Sequence, residues 1–171
     1  AGDRLAEMEF HFPAGRVSAP GLRQVFASGD LDVEAVSGPL FGGLEFAPVQ
    51  GFIKGYIDLV FVHEGRYYLV DWKSNHLGNR RAHYHSGALR RTMVRDHYLL
   101  QYHLYSVALH RLLRARLSGY EYDRHFGGVY YLFLRGVAPK EMPGAGVYYD
   151  RPSPRLLTAL DGFLREGEKL T

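Results

Sequence analysis

The run that most constrains this chain is residues 51–73, GFIKGYIDLVFVHEGRYYLVDWK. Two stretches rich in β-branched and aromatic residues flank His63-Glu64-Gly65-Arg66, a pattern that predicts a β-hairpin. Gly65 can supply the positive φ that a two-residue primed turn requires. With Glu64-Gly65 as that turn, His63 faces Arg66 and the register sets Asp58 opposite Asp71, with Cβ atoms about 5 Å apart on one side of the sheet. Lys73 lies two residues after Asp71 and shares its side. The remaining positions are apolar on both sides, which predicts a hairpin covered on both faces. A longer turn changes the pairing.

Two carboxylates opposed in a half-buried sheet repel, and a proton, a lysine or a cation has to compensate them. An Asp–Asp–Lys cluster offers oxygen ligands of the kind that suit a hard ion such as Mg²⁺, which keeps several waters and binds phosphate oxygens. Such an ion polarises a phosphodiester and supplies an activated water. Lys73 can position that water or stabilise charge developing on the phosphate. The alternative is a Lys73 that only neutralises Asp71, with Asp58 capping a nearby loop.

The rest of the chain sets bounds. Its 171 residues, 46% of them hydrophobic, suit one folded domain. No apolar run approaches the ~18 residues of a membrane span. The start, Ala1 to Glu9, is mixed and charged, unlike a signal peptide, and the chain reads as an excised, N-terminally truncated domain of residues 1–171. The absence of cysteine excludes disulfides, thiolate-held iron–sulfur clusters and cysteine zinc sites, and fits a cytoplasmic location. No GxxxxGK[S/T] loop is present, so the chain carries no ATP motor. The net charge is only +3, yet Gly78–Arg116 holds eight arginines, Arg80 and Arg81 among them, against the single acid Asp96. Such a block suggests a polyanionic partner; a solvated helix face is the plain alternative. His76, His83 and His85 follow no standard zinc spacing.

Residues 5–12 predict a strand ending at Pro13. A short helix near Leu22–Ala27 and a short strand near Leu44–Pro48 fall in the Gly/Pro/Ser-rich stretch 13–50. A helix is expected over 82–96. Another is expected over Leu99–Leu117, with Leu100, Leu104, Val107, Ala108 and Leu112 as its apolar stripe and arginines at its C-terminal end. Gly127-Gly128 punctuates ahead of a buried strand Val129–Leu134, a strand follows over Gly146–Tyr149, and Pro154–Glu168 closes the chain as a helix. Mixed strands and helices imply an α/β or α+β domain.

Three blocks, GFIKGYIDLVFVHEGRYYLVDWKSNHLG (51–78), LLQYHLYSVALHRLL (99–113) and HFGGVYYLFLRGV (125–137), strongly resemble the nuclease domain of RecB-type helicase–nucleases, within the PD-(D/E)XK nuclease superfamily. The likeness runs from about Glu7 to the C-terminal helix. It implies an α/β fold with a PD-(D/E)XK restriction-endonuclease-like core, a central mixed sheet whose catalytic hairpin is flanked by helices. It implies that Asp58 is the first metal-binding aspartate, that Asp71 and Lys73 are the (D/E)XK pair, that the backbone carbonyl of Trp72 also ligates the ion, and that Glu7 is the upstream acidic residue near it. The ion is Mg²⁺, with Mn²⁺ or Ca²⁺ able to take its place. Gln101 and Tyr105 match the family's QxxxY motif, on one helical face.

The resemblance further implies DNA as substrate, mainly single strands, with a helicase portion of the parent chain, RecC- and RecD-like subunits and the RecA recombinase as partners, and no membrane. One departure is clear: the family's upstream histidine ligand has no match here, His11 included, which implies weak metal binding or inactivity of this stretch alone. Plain readings stand beside these roles. Glu7 can be an exposed strand-start carboxylate, Gln101 and Tyr105 ordinary packing, Lys54 a surface lysine rather than a phosphate contact on the Asp58 side, and Tyr130-Tyr131 core residues. Two functions follow: a Mg²⁺-dependent deoxyribonuclease, in which cleavage requires Asp71 and Lys73, or a non-catalytic DNA-binding or RecA-docking module, which survives loss of Asp71.

Overall fold

The computed structural model of the chain describes residues 4–29, 44–138, 140 and 142–168. Its strands are β1 (Arg4–Val17), β2 (Val49–His63), β3 (Arg66–Lys73), β4 (Phe126–Phe133) and β5 (Val147–Asp150). Its helices are α1 (Ala19–Ser28), α2 (Ser86–Arg95), α3 (Tyr98–Arg116), the single turn α4 (Tyr122–His125) and α5 (Pro154–Glu166), with a 3₁₀ turn at Arg81–Tyr84. The strands form one mixed sheet in the order β1-β2-β3-β4-β5. β2/β3 and β4/β5 are antiparallel, and β3/β4 are parallel. This is an α/β architecture consistent with a PD-(D/E)XK-like core.

The hairpin follows the predicted register: His63 pairs with Arg66, and the ladder runs back to Leu59↔Val70. Its turn residues, Glu64 (φ 49°) and Gly65 (φ 74°), both lie in the left-handed region, as a type I′ turn demands. Expectation and structure part at several other places. β1 does not stop at Pro13 but continues to Val17. The proline is tolerated because β1 is an edge strand, where a missing N–H need not break a ladder. Leu44–Pro48 form no strand, and β2 starts only at Val49. The expected 82–96 helix is broken at His85 into a 3₁₀ turn and α2. Gly127-Gly128 lie inside β4 instead of ahead of it. There they clear space for two rings: a Cβ at Gly127 would meet the Tyr68 ring and one at Gly128 the Tyr149 ring. The part of the 13–50 stretch between 30 and 43 lies outside the described residues.

By contact the chain forms two compact units, each discontinuous in sequence. One comprises Ala1–Met8, Tyr56–Tyr98 and Glu121–Arg151. Its core includes Ile57, Val60, Leu69, Val70, Val129, Tyr131 and Phe133. The hairpin is not covered on both sides as the apolar pattern predicted. Phe61, Tyr68, Tyr130 and Tyr149 form a row of rings across four strands, with neighbouring centroids 4.9–5.9 Å apart, and the row is only half-buried, Tyr149 being 49% exposed. The aromatic residues shield one another there, so apolar patterning alone overestimates burial.

The other unit comprises Glu9–Gly55, Leu99–Tyr120 and Pro152–Thr171. Helix α1 starts at Ser18, whose hydroxyl accepts from Gly21 N–H, with Pro20 in the first turn. Helix α5 is capped likewise by Ser153, and it buries Leu156, Leu157, Leu160 and Leu164 at helical spacing against α1. The buried face of α3 matches the predicted stripe only in part: Val107 and Ala108 are buried as expected, Leu100 and Leu104 are half-buried and Leu112 is 37% exposed, while Leu99, Tyr102, His103, Ser106, Leu109 and Leu113 are buried as well. The helix is buried around so much of its circumference that hydrophobicity no longer selects one face. His103 is accommodated because its Nδ1 lies 2.7 Å from the Leu99 carbonyl.

Candidate metal centre at the end of the hairpin

The β2/β3 ladder stops at Leu59↔Val70, one pair short of Asp58 and Asp71. The next N–H of β3, that of Trp72, is taken instead by a side chain: it donates to Asp58 Oδ2 at 2.9 Å. A carboxylate thus replaces a ladder acceptor at the strand end, and its charge is held beside Asp71. On its other edge β3 stays paired in parallel to β4 as far as Lys73↔Phe133, so Asp71 and Lys73 sit on a strand that is still rigidly held. Alternation does the rest. Trp72 turns outward and is 43% exposed, while Asp71 turns inward and is only 5% exposed.

Asp71 is therefore a buried acid facing a second acid. Lys73 Nζ lies 2.6 Å from its Oδ2, yet that oxygen has no hydrogen-bond partner of good angular geometry. The Asp71 carboxyl is raised above the ordinary carboxylate range. Burial is the main cause, contact with the Lys73 ammonium pulls the other way, and the Asp58 charge pushes it up further. A desolvated carboxylate that one ammonium only partly compensates, next to a second carboxylate, is a donor set that fits a hard divalent cation. Asp58, Asp71 and the backbone carbonyl of Trp72 are the groups that would hold it. Among the described residues no three His, Asp or Glu side chains converge on one point, so Glu7 does not complete a third carboxylate here. Glu7 is exposed and carries a left-handed backbone, φ 52°, inside β1. For a non-glycine residue in a strand that is a strained conformation of the kind that gathers at functional sites.

Lys73 is enclosed by groups that the sequence reading did not single out. Its Nζ lies 4.0 Å from the ring centroid of Tyr98 and 5.1 Å from that of Tyr131. The Tyr98 hydroxyl donates to Asn75 Oδ1 at 3.2 Å, and Asn75 Nδ2 donates to Asp96 Oδ2 at 2.8 Å. Asp96 is held by Arg95 through Nε at 2.6 Å and a terminal nitrogen at 3.0 Å. Two signals were available for these residues: Asn75 follows Lys73 by two positions, and Tyr98 precedes Gln101 by three, one helical turn.

The other predicted residues fall as follows. Gln101 Nε2 donates to the Tyr105 hydroxyl at 2.9 Å, so the QxxxY pair is in contact, half-buried, with the Tyr105 ring edge-on to Phe10. Lys54 forms an exposed ion pair with Glu9 at 2.6 Å. Arg80 and Arg81 are exposed at the 3₁₀ turn. The basic block is less available to a polyanion than its composition suggests. Arg95 is paired with Asp96, and Arg111 with Asp161 at 2.5 Å while its guanidinium covers the Phe12 ring. His76 contacts Asn79 and His83 contacts the Arg80 backbone. Tyr131 is a core residue as expected, whereas Tyr130 belongs to the half-buried aromatic row. No helix among the described residues is long and apolar enough to cross a membrane.

No family model matches the chain. Curated relatives do. The RecBCD enzyme subunit RecB of Escherichia coli strain K12 is 47% identical over 164 residues, 94% of this chain and 13% of the relative. The RecB subunit of Haemophilus influenzae is 53% identical over 119 residues, 70% of this chain and 10% of the relative. That of Mycobacterium tuberculosis is 38% identical over 184 residues, 96% of this chain and 17% of the relative. The chain thus spans only a small fraction of the relatives it matches, but the match takes in nearly the whole of the chain. A sequence this similar over nearly its whole length, with the paired aspartates and the lysine at one strand end, belongs to the RecB family.

Proposed function

We propose that this domain is a Mg²⁺-dependent deoxyribonuclease that hydrolyses phosphodiester bonds, mainly of single-stranded DNA delivered by a helicase, in double-strand-break repair and recombination. The observation that carries the reading is the buried Asp71, raised by desolvation, with Asp58 on the neighbouring strand and Lys73 in ion-pair contact. The relatives' name, a subunit of the RecBCD enzyme, supports RecC- and RecD-like subunits as partners; a helicase portion of the parent chain and RecA are further partners we propose from the resemblance of the sequence blocks.

The residues divide the work by chemistry. Asp58 and Asp71, with the Trp72 carbonyl, would hold the cation. When bound, that cation polarises the phosphodiester and lowers the pKa of a water. Lys73 places its ammonium against Asp71, and its charge can stabilise a phosphate gaining negative charge or orient the attacking water. Gln101 and Tyr105, in contact with each other on α3, are proposed as DNA-contacting residues, and Lys54, Arg80 and Arg81 offer exposed charge to the phosphate backbone.

The test is cleavage of a single-stranded oligonucleotide by the chain, with Mg²⁺ and with a chelator, beside Asp71→Ala. Cleavage that needs the ion and disappears in the variant is the expected result. A variant that cleaves at the parent rate, or a parent chain that binds DNA but never cuts it, sinks the reading in favour of a binding or docking module.

A further inference from the structure

We infer that Tyr98 is a positioning residue for Lys73, and that its ring face keeps the lysine ammonium at the strand end when Asp71 is engaged elsewhere. The inference rests on the phosphodiesterase reading of the same site. A lysine is a compact charge on a flexible stem, and one ion pair leaves its ammonium free to move around the carboxylate. Asp71 is also the group that must serve a cation, so it cannot by itself anchor Lys73 throughout. The structure supplies other walls. Nζ is 2.6 Å from Asp71 Oδ2, 4.0 Å from the Tyr98 ring centroid and 5.1 Å from that of Tyr131, and the two rings lie 5.8 Å apart. An aromatic face attracts a cation without competing for its protons as a second carboxylate would.

The two rings are not equivalent. Tyr131 is 1% exposed, lies on β4 and pairs in register with Asp71, so it is core and fixed by the sheet. Tyr98 is the first residue of α3 and only half-buried, so its ring needs a separate anchor. That anchor is the chain of bonds from its hydroxyl through Asn75 to Asp96 and Arg95. His97, between Asp96 and Tyr98, adopts a left-handed backbone, φ 57°, and this local reversal lets both neighbours address Asn75. Asn75 follows Lys73 directly along the chain after Ser74, so the network closes on the strand end it steadies. A tyrosine that merely filled space would need neither the face-on ammonium nor an anchored hydroxyl.

The experiment compares residues 1–171 with their Tyr98→Leu, Tyr98→Phe and Asn75→Ala variants. Steady-state cleavage of single-stranded DNA in Mg²⁺ gives kcat and KM, and NMR gives the Lys73 Hε and Cε shifts. The expected loss in Tyr98→Leu is about tenfold in kcat, the size of a desolvated cation–π contact, with KM little changed. Tyr98→Phe and Asn75→Ala both keep the ring and lose the hydroxyl–Asn75 bond, so each is expected to fall between the parent and Tyr98→Leu, at about threefold. The Lys73 methylene signals are ring-shifted upfield in the parent and Tyr98→Phe, and relax in Tyr98→Leu. The inference is overturned if Tyr98→Leu keeps the parent kcat, if Tyr98→Phe loses as much as Tyr98→Leu, or if the Lys73 signals show no ring shift. A parent chain with no cleavage overturns the phosphodiesterase reading itself, and the role in catalysis with it; that outcome is distinct from cleavage that ignores Tyr98.

Discussion

Two acid–base pairs in this protein are built from the same parts and end in opposite states. In one, Arg111 reaches Asp161 through Nε at 2.5 Å and the Asp161 carbonyl through a terminal nitrogen at 3.3 Å, while its guanidinium covers Phe12. In the other, Lys73 reaches Asp71 beneath Tyr98 and Tyr131. The arginine pair is closed: a planar fork satisfies side chain and backbone together. The lysine pair is open. A point charge meets one oxygen of a carboxylate that burial has already penalised and that Asp58 penalises further. The closed pair holds two segments together, and the open one leaves a demand for positive charge that an incoming cation can meet. The pairs also differ in exposure, at 24% and 13% for the side chains of Arg111 and Asp161 against 12% and 7% for Lys73 and Asp71, so the less satisfied pair is the more buried.

Exchanging the two lesions breaks or confirms this contrast. The largest effect is expected from Lys73→Ala, which should lower cleavage of single-stranded DNA by at least about 100-fold while leaving DNA affinity largely intact. Arg111→Ala should do the reverse, costing about 2–3 kcal/mol in urea unfolding by stranding Asp161, with cleavage per folded molecule unchanged. Equal loss of cleavage in both variants would erase the distinction.

Cation binding is expected to give the next largest difference. Adding Mg²⁺ should raise the Tm of the chain, because a ligand that binds only the folded state stabilises it by mass action. That rise should vanish in Asp71→Asn and persist in Asp161→Asn. The smallest effect concerns pH and belongs to the arginine side. His110 contacts the Tyr120 hydroxyl at 3.0 Å, and its imidazole is lowered below the ordinary 6.5, first by burial and then by the Arg114 charge. The folded state therefore binds this proton more weakly than the unfolded chain, so stability should fall as pH drops from about 6.5 towards the depressed value. His110→Gln should flatten that slope in pH-dependent unfolding, and an unaltered slope would remove His110 as its source.

Much of the candidate site was legible because it is local. The hairpin register followed from period-two patterning and a glycine suited to a primed turn, and it placed Asp58, Asp71 and Lys73 at one strand end. The Gln101–Tyr105 contact followed from helical spacing. What escaped lies far apart in sequence or depends on how deeply an element is buried. Arg111 read as part of a basic block because its partner is fifty residues away. The stripe on α3 held at Val107 and Ala108 but missed other buried positions, because the helix is buried on more than one side.

The sequence by itself determined which residues could share a side, since a two-residue period and a 3.6-residue period are properties of the backbone. It determined that Asp58, Asp71 and Lys73 would meet. Only the tertiary structure decided what that meeting is worth. Burial sets the cost of the Asp71 charge, and the rings of Tyr98 and Tyr131, brought in from a helix start and a parallel strand, enclose the ammonium that answers it. Desolvation and enclosure depend on neighbours in space, and no local pattern encodes them.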